Sequence, residues 1–237
     1  MTSLSAPFFD LHRDLPREAP GDETSLRWAL ELAKTPSRAR ILDAGCGPGA
    51  DLALFEKLRP AAALVGLDLH APFIERIRQT LPHVTASVGD MLEPEGKFDL
   101  IWSAGAAYGP GILTALSAWR GHLAPNGAIA FSDCLWRTSR PSSAALAFWQ
   151  KEYPDICHLS DHLSRLEQAG WQVRGARWLG KSAWSAYYKP LQARIDSLRP
   201  AASTELLAVL DDAQAEIDLW RAHGDDYGYY LTVVTPL

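Results

Sequence analysis

The chain has 237 residues, 47% of them apolar and 22% charged, which is ordinary for one globular domain or for a domain with an added cap. Its formal net charge of −5 argues against a nucleic-acid surface, because such a surface normally shows a basic patch. Three scattered cysteines suit a reducing compartment, and neither a signal peptide nor an apolar run of about 18 residues is present, so we expect a cytoplasmic protein without a membrane segment.

The first predicted element is a helix that Asp22 caps and that ends at Pro36. From residue 38 onward, short apolar runs alternate with helical patterns, as expected for parallel strands joined by crossover helices. The strands are predicted over Ala39 to Ala44, Leu64 to Leu69, Val84 to Val88, Phe98 to Ser103 and Ala128 to Asp133. The helices between them are predicted over Ala50 to Leu58, Pro72 to Thr80 and Ile112 to Leu123.

The last third departs from this alternation. The expected elements are a helix over residues 142–153, a helix that Ser160 or Asp161 caps and that ends at Gly170, and strands over residues 171–179 and 227–234. The two helical patterns between these strands carry apolar stripes: Trp184, Tyr188, Leu191, Ile195 and Leu198, then Leu206, Leu210, Ala213, Ile217 and Trp220. An insertion this apolar must pack, and we expect it to cap the ligand edge of the sheet.

These elements predict a single α/β domain with a Rossmann-like, seven-stranded and mostly parallel sheet whose last strand is antiparallel. Residues 38–179 would form the cofactor-binding core. Residues 1–37 would contribute an N-terminal cap region, residues 180–226 a helical insertion, and residues 227–237 the last strand.

The segment Ile41 to Gly49 is a buried strand that runs into a glycine turn and then a helix. Gly45, Gly47 and Gly49 permit backbone dihedrals that side chains forbid, and they let a ligand approach the main chain. Asp68 lies about 20 residues beyond this turn, at the end of the next apolar run, where an acid can bind ribose hydroxyls. The sequence therefore predicts an adenosine-containing cofactor.

Glycine spacing and two further acids narrow the choice of cofactor. Dinucleotide enzymes use Gly-x-Gly-x-x-Gly, whereas this turn reads Gly-x-Gly-x-Gly. Asp43, two residues before the first glycine, would repel a pyrophosphate but suits a cationic α-amino group. Asp90 ends the third predicted strand, in position for the exocyclic amine of adenine. Carboxylates at three successive strand ends favour S-adenosylmethionine, which is a cation without phosphate.

At five places the sequence resembles the class I S-adenosylmethionine-dependent methyltransferases: residues 41–49, 66–68, 89–91, 98–103 and 123–128. The resemblance implies that the glycine turn cradles the methionine part and that Asp68 holds the ribose, with Leu69 directly after it also at the cofactor. It further implies that Asp90 and Met91 flank the adenine. Ser103 would begin the loop beside the transferred methyl group.

Three segments resemble a narrower bacterial subgroup of small-molecule methyltransferases: residues 15–21, 184–191 and 227–230. This resemblance implies that Arg17 and Gly21 close over the carboxylate of the cofactor. The alternative is an exposed arginine ahead of a helix cap. The subgroup often has a glutamate where Ala104 stands, so this departure leaves open how the acceptor is held.

Four residues are candidates for the acceptor side. Tyr108 lies in a loop of small residues after the fourth strand, where it would hydrogen-bond the acceptor, face the cation, or pack beneath the following helix. Asp133, at the end of the fifth strand, is either a catalytic base or a turn cap, and Trp136 just beyond it is a substrate-binding candidate. In the insertion, Tyr187 lies at the margin of the apolar stripe and is a second substrate-binding candidate.

Other conspicuous side chains are expected to be structural. Trp184 and Tyr188 lie on the apolar stripe and should pack. His158 and His162 have a spacing seen in metal sites, but we expect surface histidines and no metal. His12 would reach the site only if the N-terminus folds over it.

The predicted function is methyl transfer from S-adenosylmethionine to an oxygen or nitrogen nucleophile of a small molecule. Such a displacement depends mainly on positioning in a dry site, and a base is needed only for a protonated acceptor. A non-catalytic binding module or sensor is the alternative, and a nicotinamide-dependent oxidoreductase is disfavoured by the glycine spacing. The segment after the fourth strand lacks the Asn/Asp-Pro-Pro-aromatic motif of nucleic-acid amino-methyltransferases, so we expect no nucleic-acid partner. The oligomeric state stays open between monomer and homodimer.

Overall fold

The computed structural model describes residues 6–237, so the first five residues of the expected N-terminal cap region, and of the segment searched for a signal peptide, lie outside the described range. Within this range, eight strands form one sheet in the order β3-β2-β1-β4-β5-β8-β7, with the two-residue β6 beside β5. The strands are β1 (Arg40–Ala44), β2 (Ala63–Asp68), β3 (Thr85–Val88), β4 (Phe98–Ala104), β5 (Leu123–Trp136), β6 (Cys157–His158), β7 (Trp171–Trp178) and β8 (Tyr227–Pro236).

The strand directions confirm the predicted mostly parallel sheet with an antiparallel last strand. Strands β1 to β6 pair in parallel, and β8 runs antiparallel to both neighbours, β5 and β7. Strand order reverses between β1 and β4, and ligands of open α/β sheets bind at the carboxyl ends of the strands beside such a reversal. The fold therefore points to the ends of β1, β2 and β4 as the place for a site.

Two features of the strands differ from the prediction. Strand β6 was not predicted, since two residues carry too little pattern to be recognised. Strand β5 begins at Leu123 instead of Ala128, so the Pro125-Asn126-Gly127 segment lies inside the strand. There Asn126 has a φ of 63°, and the pairing with β4 shifts register between Phe98 and Leu100, so this segment forms an irregularity within the strand.

Nine helices lie in the described part of the chain: α1 (Ala6–His12), α2 (Glu23–Leu32), α3 (Ala50–Leu58), α4 (Ala71–Thr80), α5 (Ile112–Arg120), α6 (Ser143–Glu152), α7 (Leu159–Gln168), α8 (Lys181–Leu198) and α9 (Thr204–His223). A 3₁₀ turn over Arg199–Ala201 follows α8. The Asp22 cap is confirmed, since its carboxylate accepts a hydrogen bond from the Ser25 backbone N–H. The cap predicted at Ser160 or Asp161 is wrong, because α7 already begins at Leu159 with His158 at the N-cap position.

The two faces of the sheet carry different helices. Buried side chains of α2, α3, α4, α6, α8 and α9 pack on one face, and those of α5 and α7 pack on the other. Strand β5 shows the alternation that separates the faces: Ala130 and Cys134 belong to the first cluster, and Ile129 and Phe131 to the second. No helix within residues 6–237 is long and apolar enough to cross a membrane.

The two predicted insertion helices are confirmed as α8 and α9. Trp184 of α8 stacks on Trp220 of α9 with ring centroids 5.7 Å apart, and Tyr188 packs on the same indole at 5.3 Å. Helix α1 was not predicted, since seven residues are too short for a periodic pattern, and it joins this pair where Arg194 donates a hydrogen bond to the Asp10 carbonyl. We call α1, α8 and α9 together the helical cap.

Candidate functional site

The glycine turn after β1 has the backbone geometry that the sequence predicted. Gly45, Gly47 and Gly49 have φ angles of 76°, 50° and 90°, in the left-handed region that favours glycine. A Cβ at Gly45 would also lie 2.5 Å from the Cβ of Ala106, closer than real Cβ atoms approach. Gly49 is the N-cap residue of α3, so the turn leads directly from the end of β1 into that helix.

Asp68 lies beside this turn with both carboxylate oxygens engaged. Its Oδ2 accepts a hydrogen bond from the Gly47 backbone N–H at 2.9 Å, and its Oδ1 lies 2.9 Å and 2.8 Å from the backbone N and ring Nδ1 of His70. The residue is only 8% exposed. The loop after β2 thus orients this carboxylate toward the turn before any ligand is bound, which lowers the ordering cost of binding.

Arg17 reaches the same place from the N-terminal segment. Its Nη2 donates a hydrogen bond of 2.7 Å to Oδ1 of Asp51, and the Trp102 indole N–H donates one of 2.8 Å to Oδ2. Gly21 lies against the guanidinium, since a Cβ there would be 2.1 Å from Nη1 of Arg17. Arg17 is therefore buried in an ion pair, and the alternative of an exposed arginine is wrong.

Asp43 is the most unusual carboxyl group of the site. It is 2% exposed at the end of β1. Burial, followed by the charges of Asp51 and Asp68, raises the pKa of Asp43 well above its ordinary value, while Arg17 opposes this shift. A cation bound here would stabilise the ionised form, because an opposite charge offsets the desolvation of a carboxylate.

A cavity of about 540 Å³ opens between the glycine turn and the helical cap. Its volume falls in the range of roughly 300–1,000 Å³ found for small-molecule sites. A second hollow of about 180 Å³ adjoins it and is lined by Leu69, Asp90 and Met91. Both share Gly45 and Asp68, so one ligand can extend from the first space into the second.

The cap side of the cavity carries tyrosines and carboxylates. Tyr108, from the loop after β4, and Tyr187, from α8, both line it, together with Glu152 of α6 and Glu216 of α9. Burial and the charge of Glu216 raise the pKa of Tyr108 to about 12. The same two causes, with the charge of Glu18 third, raise the pKa of Tyr187 well above its ordinary value. Both phenols stay protonated at neutral pH and act as hydrogen-bond donors.

The structure does not bring Asp133 into this cavity, which corrects the expectation of a catalytic base there. Side chains alternate along β5, and Asp133 falls on the face of Ile129 and Phe131, away from the cap. It lines a separate cavity of about 230 Å³, where its Oδ2 lies 3.4 Å from Nδ1 of His162. His162 is 4% exposed, so the expectation of a surface histidine at this position is also wrong.

Two further predicted site residues, Ser103 and Trp136, are buried and contribute to the fold. Ser103 is fully buried, and its Oγ donates a hydrogen bond of 2.8 Å to the Ala44 carbonyl, which ties the ends of β1 and β4 together. Trp136 is buried in the core cluster beneath the cap and does not line the cavity. Trp184 and Tyr188 pack as predicted.

Several residues at the cavity were missed by the sequence reasoning. Among them are Asp51, in the first turn of α3, and the glutamates Glu18, Glu152 and Glu216. His12 lines the cavity because α1 folds over it, and its Nδ1 pairs with Oε2 of Glu18. The narrower resemblance over residues 15–21 was the one signal for Glu18.

A larger groove of about 700 Å³ lies at the opposite edge of the sheet. It is lined by residues such as Asp99, Asn126 and Arg174 and contains none of the predicted site residues. Because ligands of this kind of sheet bind at the carboxyl ends of the strands, the groove is not the candidate site despite its volume.

Comparison with known proteins agrees with this geometry. A family described as "Methyltransferase domain" matches residues 41–127. The chain is 31% identical over 206 residues to a trans-aconitate 2-methyltransferase of Methylobacterium radiotolerans, covering 84% of this chain and 67% of the relative. A protein of the same description from Azoarcus sp. (strain BH72) is 29% identical over 200 residues, which cover 81% of this chain and 72% of that protein.

Solved structures show the same fold. An S-adenosylmethionine-dependent methyltransferase from Geobacter sulfurreducens, solved with S-adenosyl-L-homocysteine, superposes with a TM-score of 0.85 at 17% identity and covers 100% of both chains. A corresponding protein from Thiobacillus denitrificans, solved with the same ligand, reaches 0.82 at 18% identity over 99% of both chains.

Proposed function

Since the chain belongs to the class I S-adenosylmethionine-dependent methyltransferases, we propose that it methylates an oxygen or nitrogen nucleophile of a small molecule bound between the glycine turn and the helical cap. It is an enzyme, and S-adenosylmethionine is its cofactor. The cavity of about 540 Å³ carries this proposal, because it extends from the cofactor positions at the glycine turn to Tyr108, Tyr187 and Glu216 on the cap side. Residues 180–226 and the N-terminal region up to residue 37 would act as its cover, and residues 38–179 as the cofactor-binding core.

We assign the cofactor's nucleoside to the loop after β2 and the hollow beside it. Asp68 would accept hydrogen bonds from the ribose hydroxyls, since its carboxylate is already oriented at the turn. The adenine would lie between Leu69 and Met91, and Asp90 would accept from its amine. The observations that support this are the apolar hollow of about 180 Å³ and the free approach to Asp90, which is exposed.

We assign the methionine end to the glycine turn of Gly45, Gly47 and Gly49. Asp43 would face the α-amino group, and this assignment agrees with a carboxyl that is buried and needs a cation. Glu18 is a further candidate, because its Oε1 is buried without a hydrogen-bond partner in the described chain. It also lies over the turn, with its Cγ 3.5 Å from where a Cβ of Gly47 would be.

For Arg17 we propose a role at this end of the site that differs from the one that the resemblance implied. The narrower resemblance implied that Arg17 and Gly21 close over the cofactor's carboxylate. In the structure the guanidinium is held by Asp51 and by the Ala19 carbonyl. We propose that Arg17 contributes its positive charge from this position and that Gly21 is required for its close packing.

When bound, S-adenosylmethionine would supply an electrophilic methyl group to a lone pair of the acceptor, and S-adenosylhomocysteine would be the leaving group. The chain's own contribution is to orient the acceptor and to exclude water. Tyr108 and Tyr187 would donate hydrogen bonds to it, since both phenols stay protonated at neutral pH. Ser103 would act only through the joined ends of β1 and β4.

The proposal is tested by calorimetric titration with S-adenosylhomocysteine and by transfer of a tritiated methyl group to a panel of small alcohols, phenols, amines and carboxylates. We expect Asp68→Ala to weaken binding of S-adenosylhomocysteine about 10- to 100-fold, because hydrogen bonds to a charged group contribute about 1.5–3 kcal/mol. Asp161→Ala, at an exposed position of α7, is the control. Unchanged binding by Asp68→Ala contradicts the assignment, and absence of label from every small molecule contradicts the acceptor class.

A further inference from the structure

The charges that line the cavity are unequal in sign. Six carboxyl groups line it: Glu18, Asp43, Asp51, Asp68, Glu152 and Glu216. The basic side chains of its described lining are Arg17, His12 and His70. A ligand that fills this space therefore meets a surplus of negative charge, part of which the cationic cofactor offsets.

Each basic side chain already has a carboxylate partner. Arg17 binds Asp51 at 2.7 Å, and His70 binds Asp68 at 2.8 Å. His12 pairs with Glu18. None of the three is free to bind an anionic acceptor, because each would first have to leave a carboxylate in a partly dry site.

On the cap side, Glu216 is a carboxylate that takes no part in these ion pairs. Its Oε1 accepts a hydrogen bond of 2.8 Å from the Tyr188 hydroxyl, and it forms no ion pair with any cation in residues 6–237. Glu152, which also lines the cap side, pairs with the exposed Lys151 at 2.8 Å. A partly buried carboxylate without a cation is costly, and a positively charged ligand would remove that cost.

Besides Glu152 and His12, which is already paired with Glu18, the groups around Glu216 are aromatic. Its charge acts on the phenols of Tyr108, Tyr187 and Tyr188, all three of which lie close enough for their pKa values to rise. Tyr108 and Tyr187 both line the cavity beside it. Aromatic faces attract an organic cation, and the attraction grows when water is excluded.

On the basis of the proposed function, we infer that the methyl acceptor of this enzyme carries a positively charged amine, which binds Glu216 between Tyr108 and Tyr187. The named relatives are trans-aconitate methyltransferases, and trans-aconitate is a tricarboxylate. The cavity of this chain offers no free cation to such an acceptor among its described lining residues. The inference thus separates this enzyme from those relatives by the charge of its acceptor.

The test compares probes that share a carbon frame and differ in charge. One set is benzylamine, benzyl alcohol and benzoate, and another is tyramine, 2-(4-hydroxyphenyl)ethanol and 4-hydroxyphenylacetate. Tetramethylammonium, which cannot lose a proton or accept a methyl group, probes the cation alone, and trans-aconitate probes the polycarboxylate. Binding of each is measured by calorimetry on the whole chain saturated with S-adenosylhomocysteine. We expect the cationic member of each set to bind at least tenfold more tightly than the neutral and anionic members.

Variants of Glu216 test whether this residue causes the preference for the cationic probes. We expect Glu216→Gln to remove the preference for the cation, at least a tenfold loss, and Glu216→Asp to retain most of it. Asp212→Asn removes one charge from an exposed position of the same helix and should leave the preference unchanged. Affinity for S-adenosylhomocysteine should stay within twofold in all three variants, which shows that each is folded.

The possible failures of the two proposals differ. Tighter binding of trans-aconitate or of the carboxylate probes, failure of every ammonium probe to bind, or an unchanged preference in Glu216→Gln overturns the amine inference. Methyl transfer to an anionic probe would overturn it too while leaving the proposed function intact. Failure of S-adenosylhomocysteine to bind the unmodified protein would instead overturn the proposed function.

Discussion

The cofactor side and the acceptor side of the cavity are built in different ways. On the cofactor side, the side chains lie at or just beyond the carboxyl ends of β1, β2 and β3, and the main chain of the glycine turn sets much of the geometry. On the acceptor side, Tyr108, Glu152, Tyr187 and Glu216 come from a loop and three helices that are far apart in sequence. The first side depends on local backbone conformation, and the second depends on how helices pack.

This difference affects how freely the residues of each side can be substituted. The ends of parallel strands meet at one edge in any sheet of this order, so a shared cofactor can be held with little variation. The cap residues meet only because α1, α8 and α9 pack together over that edge. Substitutions in the cap can therefore change the acceptor while the cofactor site stays intact.

The largest expected effect is at Arg17, where the N-terminal segment joins the cofactor side. Removing one partner of a buried ion pair leaves an uncompensated charge and costs about 3–5 kcal/mol. We expect Arg17→Gln to lower the free energy of unfolding by that amount in urea denaturation, because Asp51 stays buried beside Trp102. Arg27→Gln, which breaks an exposed pair with Glu23, should cost at most about 1 kcal/mol. Equal losses in both variants would show that Arg17 does not anchor this segment.

A second prediction tests how strictly the backbone sets the cofactor side. Gly45→Ala places a side chain at a φ of 76° and 2.5 Å from the Cβ of Ala106, so we expect a loss of about 1–3 kcal/mol in the free energy of unfolding. Gly121→Ala is the matched control, since its backbone is right-handed and a Cβ there would meet nothing within 4 Å. That variant should be neutral or slightly stabilised. Full stability of Gly45→Ala would contradict a turn that depends on glycine.

A third prediction concerns Asp43 and pH. Its pKa is raised in the folded protein by burial and by the charges of Asp51 and Asp68, with Arg17 acting in the opposite direction. The folded chain then binds this proton more tightly than the unfolded chain does. The free enzyme should therefore lose stability as the pH rises from the ordinary aspartate range toward the raised pKa.

Binding of S-adenosylhomocysteine should change with pH in the opposite sense. Its ammonium group favours the ionised carboxylate, so its affinity should rise with pH over the same interval, by as much as about tenfold per unit. Calorimetry between pH 5 and 7 measures this, and Asp43→Asn should bind with a flat profile. An equally steep profile in Asp43→Asn would place the titrating group elsewhere.

The smallest expected effect is on the acceptor side, at Tyr187. Tyr187→Phe removes one hydrogen-bond donor from the cavity, which is worth about 0.5–1.5 kcal/mol. We expect KM for the acceptor to rise about 3- to 10-fold in steady-state kinetics, with the affinity for S-adenosylhomocysteine unchanged. Tyr230→Phe, whose ring packs on Trp178 away from the cavity, should leave both values unchanged. A larger loss in cofactor affinity than in KM would show that the two sides are not separate.

The sequence predicted the parts of the molecule that follow from local pattern. Apolar runs and helical stripes indicated the sheet and the two insertion helices, and the glycine spacing with Asp43 and Asp68 indicated the cofactor. The face of β5 on which Asp133 lies was not predicted, because residues 127–136 are buried on both faces of the sheet and show no apolar-polar alternation.

The rest depends on contacts between distant segments, which leave no local pattern. Asp51 meets Arg17 across 34 positions of sequence, and nothing in its helix distinguishes it from a solvated acid. Glu216 borders the apolar stripe of α9, four residues before Trp220, but nothing in the sequence shows that this margin of the helix lines a cavity. Such positions are found only when the packing of the cap is known.

The most direct test of the account is a crystal structure of the protein with bound S-adenosylhomocysteine. The predicted result places the ribose hydroxyls within hydrogen-bond distance of Asp68, the adenine beside Leu69 and Met91, and the α-amino group near Asp43. The sulfur should then face the space lined by Tyr108, Tyr187 and Glu216. A ligand whose sulfur faces away from that space, or whose ribose lies away from Asp68, would contradict the division into a cofactor side and an acceptor side.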